Sequence, residues 1–131
     1  MSRPYIRPVS RTGWWLAQPR YVRYMLREIS SLFIGGYMLI MITGLYRLSQ
    51  GPQEYAAFLT ALLGPAGVAY ALVTLVFAAY HTYTWFIVTP KAMPLVIAGK
   101  RVPGPLIVAA HWLGFAVVSV ALWLLMTAGG A

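Results

Sequence analysis

Three long apolar runs, separated by segments that contain polar residues, glycine and proline, dominate this chain. They extend over about residues 29–48, 66–89 and 106–126, and the only charged side chain within them is Arg47, near the end of the first run. A helix rises about 1.5 Å per residue, so about 20 residues cross the hydrocarbon core of a bilayer, which is about 30 Å thick. The pattern therefore predicts an all-α integral membrane protein with three transmembrane helices in a single domain, 1–131.

The segments outside the runs differ in character. Residues 1–27 form an arm that combines arginines, prolines and aromatic residues, which is typical of a segment at the membrane interface, and its last part, from Tyr21, is compatible with helix. Residues 49–65 are expected to be a loop between the first and second spans. Pro65 suits the first turn of the second span, and Pro90 lies where that span is expected to end.

Composition excludes a soluble domain. Hydrophobic residues make up 60% of the chain and charged residues 9%, and a water-soluble fold of this size could not cover so much apolar surface. Only Glu28 and Glu54 oppose ten Lys and Arg residues, so the formal charge is +8. Because the basic residues flank the apolar runs, this charge indicates a lipid membrane as the partner and no nucleic acid. The lack of cysteine excludes thiolate-bound zinc and iron–sulfur clusters ligated by this chain.

The distribution of basic residues predicts the orientation. Basic segments near span ends resist translocation, so the arm and the loop between the second and third spans are both expected on the cytoplasmic side. Their basic residues are Arg3, Arg7, Arg11, Arg20, Arg23 and Arg27 in the arm, and Lys91, Lys100 and Arg101 in the loop. The N-terminus is then cytoplasmic and the C-terminus lies on the opposite side. Arg47 is at odds with this orientation.

One face of the second span can hold a flat ring that carries carbonyl oxygens. His81, Thr84, Trp85 and Val88 recur at helical spacing, and His81 lies about 12 Å from the predicted cytoplasmic end. The imidazole, hydroxyl and indole N–H can form hydrogen bonds with such a ring. The alternative is an interfacial tryptophan and a histidine that is hydrogen-bonded to a neighbouring helix.

A second candidate group opens the first span at the same leaflet. Arg27 and Glu28 are followed, three and seven residues beyond Glu28, by Ser31 and Gly35. This face combines a carboxylate with small residues that allow a ligand to approach closely. The alternative is a solvated interfacial ion pair, which would contribute little.

His111 is a third polar residue within a span, about 9 Å from the same side of the membrane. Together with His81 it provides two histidines at similar depth, as an axially ligated b-type haem requires. The alternative is a structural histidine beside an aromatic residue of the interfacial belt, Trp112.

Three sequence features together resemble a known family. They are Arg3-Pro4-Tyr5-Ile6-Arg7-Pro8 with Trp14-Trp15, the segment Arg23-Tyr24-Met25-Leu26-Arg27-Glu28, and His81-Thr82-Tyr83-Thr84-Trp85-Phe86 with Pro90-Lys91-Ala92. On these residues the chain closely resembles the C subunit of the four-subunit quinol:fumarate reductase of bacteria, over essentially its whole length.

The resemblance implies a membrane anchor in a heterotetramer of the bacterial inner (plasma) membrane. A flavoprotein subunit reduces fumarate, an iron–sulfur subunit carries electrons, and two three-helix subunits anchor them and bind menaquinol, with no haem. This chain would pass electrons from menaquinol to the iron–sulfur subunit in anaerobic respiration, and it would catalyse no fumarate chemistry by itself.

The resemblance also implies residue roles. Arg27, Glu28, His81 and Trp85 match positions that line the quinone site nearest the iron–sulfur subunit, and Ser31 lies on the Glu28 face. In this scheme Trp85 and Arg27 position the quinone head, His81 donates a hydrogen bond or relays a proton, and Glu28 accepts protons.

Two rival interpretations remain. One is a haem b electron-transfer anchor, for example of a succinate dehydrogenase, with His81 and His111 as haem ligands. The other is a purely structural anchor, with quinone held by other subunits.

Overall fold

The computed structural model describes residues 9–129, which form a short 3-10 helix, four α-helices and one small β-hairpin. The 3-10 helix is Trp14–Ala17, the α-helices are α1 (Pro19–Gln50), α2 (Pro52–Leu62), α3 (Pro65–Ala92) and α4 (Gly104–Ala128), and the strands are β1 (Val96–Ile97) and β2 (Lys100–Arg101). The chain divides into two compact units, of which the first ends at His81 and the second begins at Thr82. The arm residues Arg3 and Arg7, and the motif that contains them, lie outside the described residues.

Helices α1, α3 and α4 are long and apolar enough to cross a membrane, and each contains one of the three predicted spans. Within residues 9–129 no apolar side chain is buried. Apolar surface of this extent needs lipid or partner helices around it. The prediction of an all-α protein with three helices that can span a membrane is confirmed. Helix α1 begins at Pro19, so the last part of the predicted arm is already helical.

The prediction of a loop over 49–65 is wrong, because the segment contains helix α2. Pro52 occupies the first turn, where its missing N–H removes no helical hydrogen bond, and Glu54 favours the positive end of the helix dipole. Gly51 adopts φ 124° and so permits the turn from α1 into α2. Arg47 forms a salt bridge of 2.8 Å with Glu54 across this turn. Arg47, the basic residue that is at odds with the predicted orientation, is thus paired with an acid.

Glycines on α1 allow close approach of the other helices of the first unit. A Cβ at Gly44, which is buried, would lie 2.6 Å from Cε1 of Phe58 on α2. A Cβ at Gly36 would collide with the Tyr70 hydroxyl of α3. That hydroxyl donates a hydrogen bond of 3.2 Å to the carbonyl oxygen of Phe33, so Tyr70 fixes α3 against α1.

The second unit contains the end of α3, the hairpin and α4. In the hairpin, Val96 pairs with Arg101 and Ile97 pairs with Lys100. The two turn residues between them both have positive φ, 51° at Ala98 and 74° at Gly99, as a tight two-residue hairpin turn requires. The hydropathy pattern did not predict this hairpin.

Candidate functional site

The contact between Ser30 on α1 and His81 on α3 is the centre of the candidate site. The Oγ atom of Ser30 lies 2.8 Å from Nδ1 of His81. Ser30 is 0% exposed, whereas many large apolar side chains of residues 9–129 are exposed. A buried hydroxyl without a partner is costly, and this one is paired twice, because Ser30 Oγ also donates to the carbonyl oxygen of Arg27 at 2.5 Å.

These two hydrogen bonds fix the tautomer of His81. A serine hydroxyl has a single proton, and a carbonyl oxygen can only accept. The Ser30 proton is therefore directed to the Arg27 carbonyl, and Ser30 Oγ accepts a hydrogen bond from His81 Nδ1–H. In the neutral ring Nε2 is then the nitrogen that carries the lone pair, so it is the atom that can accept a proton.

Tyr80 adds a second link between the same two helices. Tyr80 precedes His81 by one residue on α3, and its hydroxyl donates a hydrogen bond of 3.0 Å to the carbonyl oxygen of Arg23 on α1. Further along α1, the Phe33 ring stacks on that of Phe77 with centroids 4.5 Å apart. These contacts hold the α3 backbone in place beside Ser30, so the His81 side chain has a defined position.

The residues predicted on α1 occupy two different faces. Arg27 is partly buried, and its guanidinium lies 5.6 Å from the centroid of the Tyr24 ring. Glu28 and Ser31 are exposed, and the Ser31 hydroxyl donates to the Glu28 carbonyl oxygen at 2.5 Å, within its own helix. Gly35, on the same stripe, has no atom within 4 Å of a Cβ position. In this chain the stripe that begins at Arg27 contacts α3, and the stripe that begins at Glu28 is left on the surface.

Ser30 and Tyr80 are therefore polar residues that the sequence interpretation missed. Ser30 follows Arg23 and Arg27 at spacings of seven and three, so the three residues share one helical face. That periodicity was available in the sequence. Only the position of His81 on α3 distinguishes this face from the one that contains Glu28 and Ser31.

Trp85 and His111 belong to the second unit. Trp85 is 41% exposed and lies four residues beyond His81 along α3, and its carbonyl oxygen accepts a hydrogen bond of 2.8 Å from Thr89 Oγ1. His111 Nδ1 donates to the Ile107 carbonyl oxygen at 2.7 Å, and its ring lies 5.2 Å from that of Phe86. These contacts give His111 an ordinary structural environment within α4 and its aromatic neighbours.

The electrostatic setting of the Ser30 and His81 pair is basic. Arg20, Arg23 and Arg27 lie on the first turns of α1, where Glu28 is the one acid. This part of α1 and α3 therefore provides basic groups, a histidine with a defined acceptor nitrogen and, on another stripe of α1, a carboxylate. Such groups are suited to binding a ligand with hydroxyl or carbonyl oxygens and to moving its protons.

Comparison with known proteins identifies relatives over nearly the whole chain. The family model for the fumarate reductase C subunit matches residues 1–127. Among curated proteins, the fumarate reductase C subunit of Mycobacterium tuberculosis (strain CDC 1551 / Oshkosh) is 36% identical over 124 residues, which cover 94% of this chain and 98% of the relative. The corresponding protein of Klebsiella pneumoniae (strain 342) is 35% identical over 90% of this chain and 89% of the relative. That of Vibrio vulnificus (strain YJ016) is 36% identical over 89% of this chain and 91% of the relative.

Proposed function

We propose that this chain, which belongs to the family of fumarate reductase C subunits, anchors a fumarate reductase in the membrane and binds the menaquinol that supplies its electrons. The observation that carries the proposal is the 2.8 Å contact between Ser30 and His81. Arg27 and Glu28 precede Ser30 by three and two residues on α1. Polar groups within a membrane span are costly and rare, so a buried, fully paired group of this kind supports a functional site.

His81 is the group in contact with the quinol in this proposal. The Ser30 hydroxyl holds Nδ1–H, so neutral His81 presents Nε2 as a base toward a quinol hydroxyl. Once protonated, the same nitrogen donates a hydrogen bond to a quinone carbonyl, which serves the reverse reaction. Ser30 acts through His81 and is a positioning residue.

Glu28 provides the route by which protons leave. Oxidation of a quinol releases two electrons and two protons, and the electrons pass to the iron–sulfur subunit. Glu28 is the tenth residue of α1 and lies two residues before Ser30, and its exposed carboxylate can accept a proton and exchange it with water. Ser31 is beside it on the exposed stripe and is a candidate for the rim of the site.

Arg27 and Trp85 hold the quinone head in this scheme. Arg27 contributes a positive charge near the ligand oxygens, which lowers the energy of negative charge that develops there. Trp85 contributes an indole N–H and a flat ring that can stack on the head group. Helical spacing of four puts it one turn beyond His81 on α3.

We further propose the assembly and its location. The partners are a flavoprotein subunit, an iron–sulfur subunit and a second three-helix anchor, with flavin and iron–sulfur clusters in the partners and no haem in this chain. The enzyme lies in the bacterial inner membrane with the N-terminus cytoplasmic and the C-terminus periplasmic. The uncovered apolar surface within residues 9–129 supports a helical partner, and the basic arm supports the orientation.

Substitution of Trp85 tests quinone binding against a passive anchor. Trp85→Phe keeps an aromatic ring and removes the indole N–H, and one lost hydrogen bond of about 1 kcal/mol corresponds to about a fivefold higher KM for menaquinol. Fumarate reduction with an artificial dye as donor should be unchanged. The matched control is Trp123→Phe, on the exposed surface of α4. Equal behaviour of the two variants with menaquinol would support the passive anchor.

A further inference from the structure

The second unit contains an open groove of about 790 Å³ where α3 ends, the hairpin turns back and α4 begins. Its walls are largely apolar and include Ile87, Val108 and Trp112. Two cationic side chains, Lys91 and Arg101, also line it. None of the groove's lining residues belongs to the proposed quinone site, so its occupant needs a separate explanation.

The charge of this segment is unbalanced. From Thr82 onward the sequence contains Lys91, Lys100 and Arg101 and no acidic residue. Both acids of the chain precede it, and one of them, Glu54, pairs with Arg47. No acidic side chain of the segment itself neutralises the groove, so an anionic occupant would be electrostatically favoured.

The hairpin register separates the two adjacent basic residues. Successive side chains of a strand point to opposite faces, so Lys100 and Arg101 lie on different sides of β2. Arg101 lines the groove and Lys100 is not among its lining residues. The tight turn at Ala98 and Gly99 fixes this register. A slip of one residue would exchange the faces on which Lys100 and Arg101 lie.

We propose that this groove binds an anionic phospholipid, with its phosphate at Lys91 and Arg101 and its acyl chains along Ile87 and Val108. The groove combines cationic groups with apolar walls at the polar ends of two apolar helices, which is the arrangement of a phospholipid at the membrane interface. Trp112 suits the same depth, since indole rings favour the headgroup region. A soluble protein segment would leave the apolar walls poorly matched.

Lipid binding to the intact, delipidated fumarate reductase complex tests this proposal. Native mass spectrometry would follow titration with phosphatidylglycerol and with phosphatidylcholine of the same acyl chains. Each cation near a membrane surface contributes about fivefold in affinity, so Lys91→Ala with Arg101→Ala should weaken phosphatidylglycerol binding about 25-fold. Arg101→Lys should retain most of the affinity, because it keeps the charge. Lys100→Ala, with the same loss of charge on the other face, should bind nearly as the unmodified complex does.

Three results would overturn the proposal. The first is a loss of about fivefold in the Lys100→Ala variant, as large as that expected for one groove cation, which would reduce the effect to general surface charge. The second is displacement of the lipid by millimolar inorganic phosphate, which would show that acyl chains contribute nothing. The third is release of a soluble subunit from the Lys91→Ala, Arg101→Ala variant with an unchanged lipid count, which would assign the groove to a protein partner. Dye-linked fumarate reduction that stays with the membrane fraction verifies that each variant has assembled, because this activity does not involve the groove.

Discussion

The Ser30 hydroxyl accepts a hydrogen bond from His81 Nδ1 at 2.8 Å, and this contact between α1 and α3 determines which nitrogen of His81 can take a proton. The Ser30 proton is committed to the Arg27 carbonyl, so the ring is held with Nε2 as its base. A buried serine thereby determines the tautomer of a histidine 51 residues away in the chain.

Ser30→Ala should lower menaquinol-dependent turnover more than Ser31→Ala does. The change removes the acceptor of His81 Nδ1–H, and one such hydrogen bond contributes about 1 kcal/mol, or about fivefold in rate. The Ser31 hydroxyl bonds only to its own helix in the described contacts, so its loss should cost little. Parallel turnover assays with menaquinol and with a dye measure the effect. A larger loss in Ser31→Ala would favour the face that begins at Glu28.

Gly36→Ala should destabilise the pairing of α1 and α3. The new methyl group meets the Tyr70 hydroxyl and forces it from the Phe33 carbonyl, and such overpacking costs about 1–3 kcal/mol. Gly35→Ala is the matched control, because a Cβ there meets no atom within 4 Å. The readout is thermal stability of the detergent-solubilised complex. Removing the hydroxyl with Tyr70→Phe should partly rescue Gly36→Ala, and additive losses in the double variant would contradict the contact.

The sequence was sufficient for the three helices that can span a membrane and only partly sufficient for the site. Apolar runs longer than the bilayer thickness predict helices whatever surrounds them, and all three spans are found. Helix α2 is shorter, and its signals, Pro52 at the start and an acid in the first turn, are local ones that hydropathy alone does not register. Whether α1 presents Ser30 or Ser31 to α3 depends on how the helices are rotated, which is set by contacts such as Tyr70 at Gly36.

The complex should show no haem band attributable to this chain. A haem with two axial histidines needs both rings directed at one iron across a wide gap. Two histidines at similar depth in the sequence do not by themselves provide that arrangement. A reduced-minus-oxidised spectrum of the purified complex measures this. A Soret band that disappears on changing either histidine would establish the haem-binding alternative.

Glu28→Gln should leave assembly and dye-linked fumarate reduction intact while lowering menaquinol-driven turnover by at least about tenfold. Gln preserves the shape and removes the ionisable oxygen, and a positioned base typically contributes about 100-fold to 10,000-fold. The smaller figure expected here allows for water or His81 as substitute acceptors. If Glu28 is only an exposed partner of Arg27, turnover should stay near that of the unmodified enzyme.

The most direct test of quinol oxidation at His81 is His81→Asn, measured as menaquinol-dependent against dye-dependent fumarate reduction in one membrane preparation. The Asn amide can donate to Ser30 as Nδ1–H does, but it provides no basic nitrogen at the Nε2 position. Menaquinol turnover should therefore fall about 100-fold or more while dye-linked activity is unchanged, and the control His111→Asn should retain both activities. Menaquinol turnover near that of the unmodified enzyme in an intact His81→Asn complex would contradict the central claim that quinol is oxidised at His81.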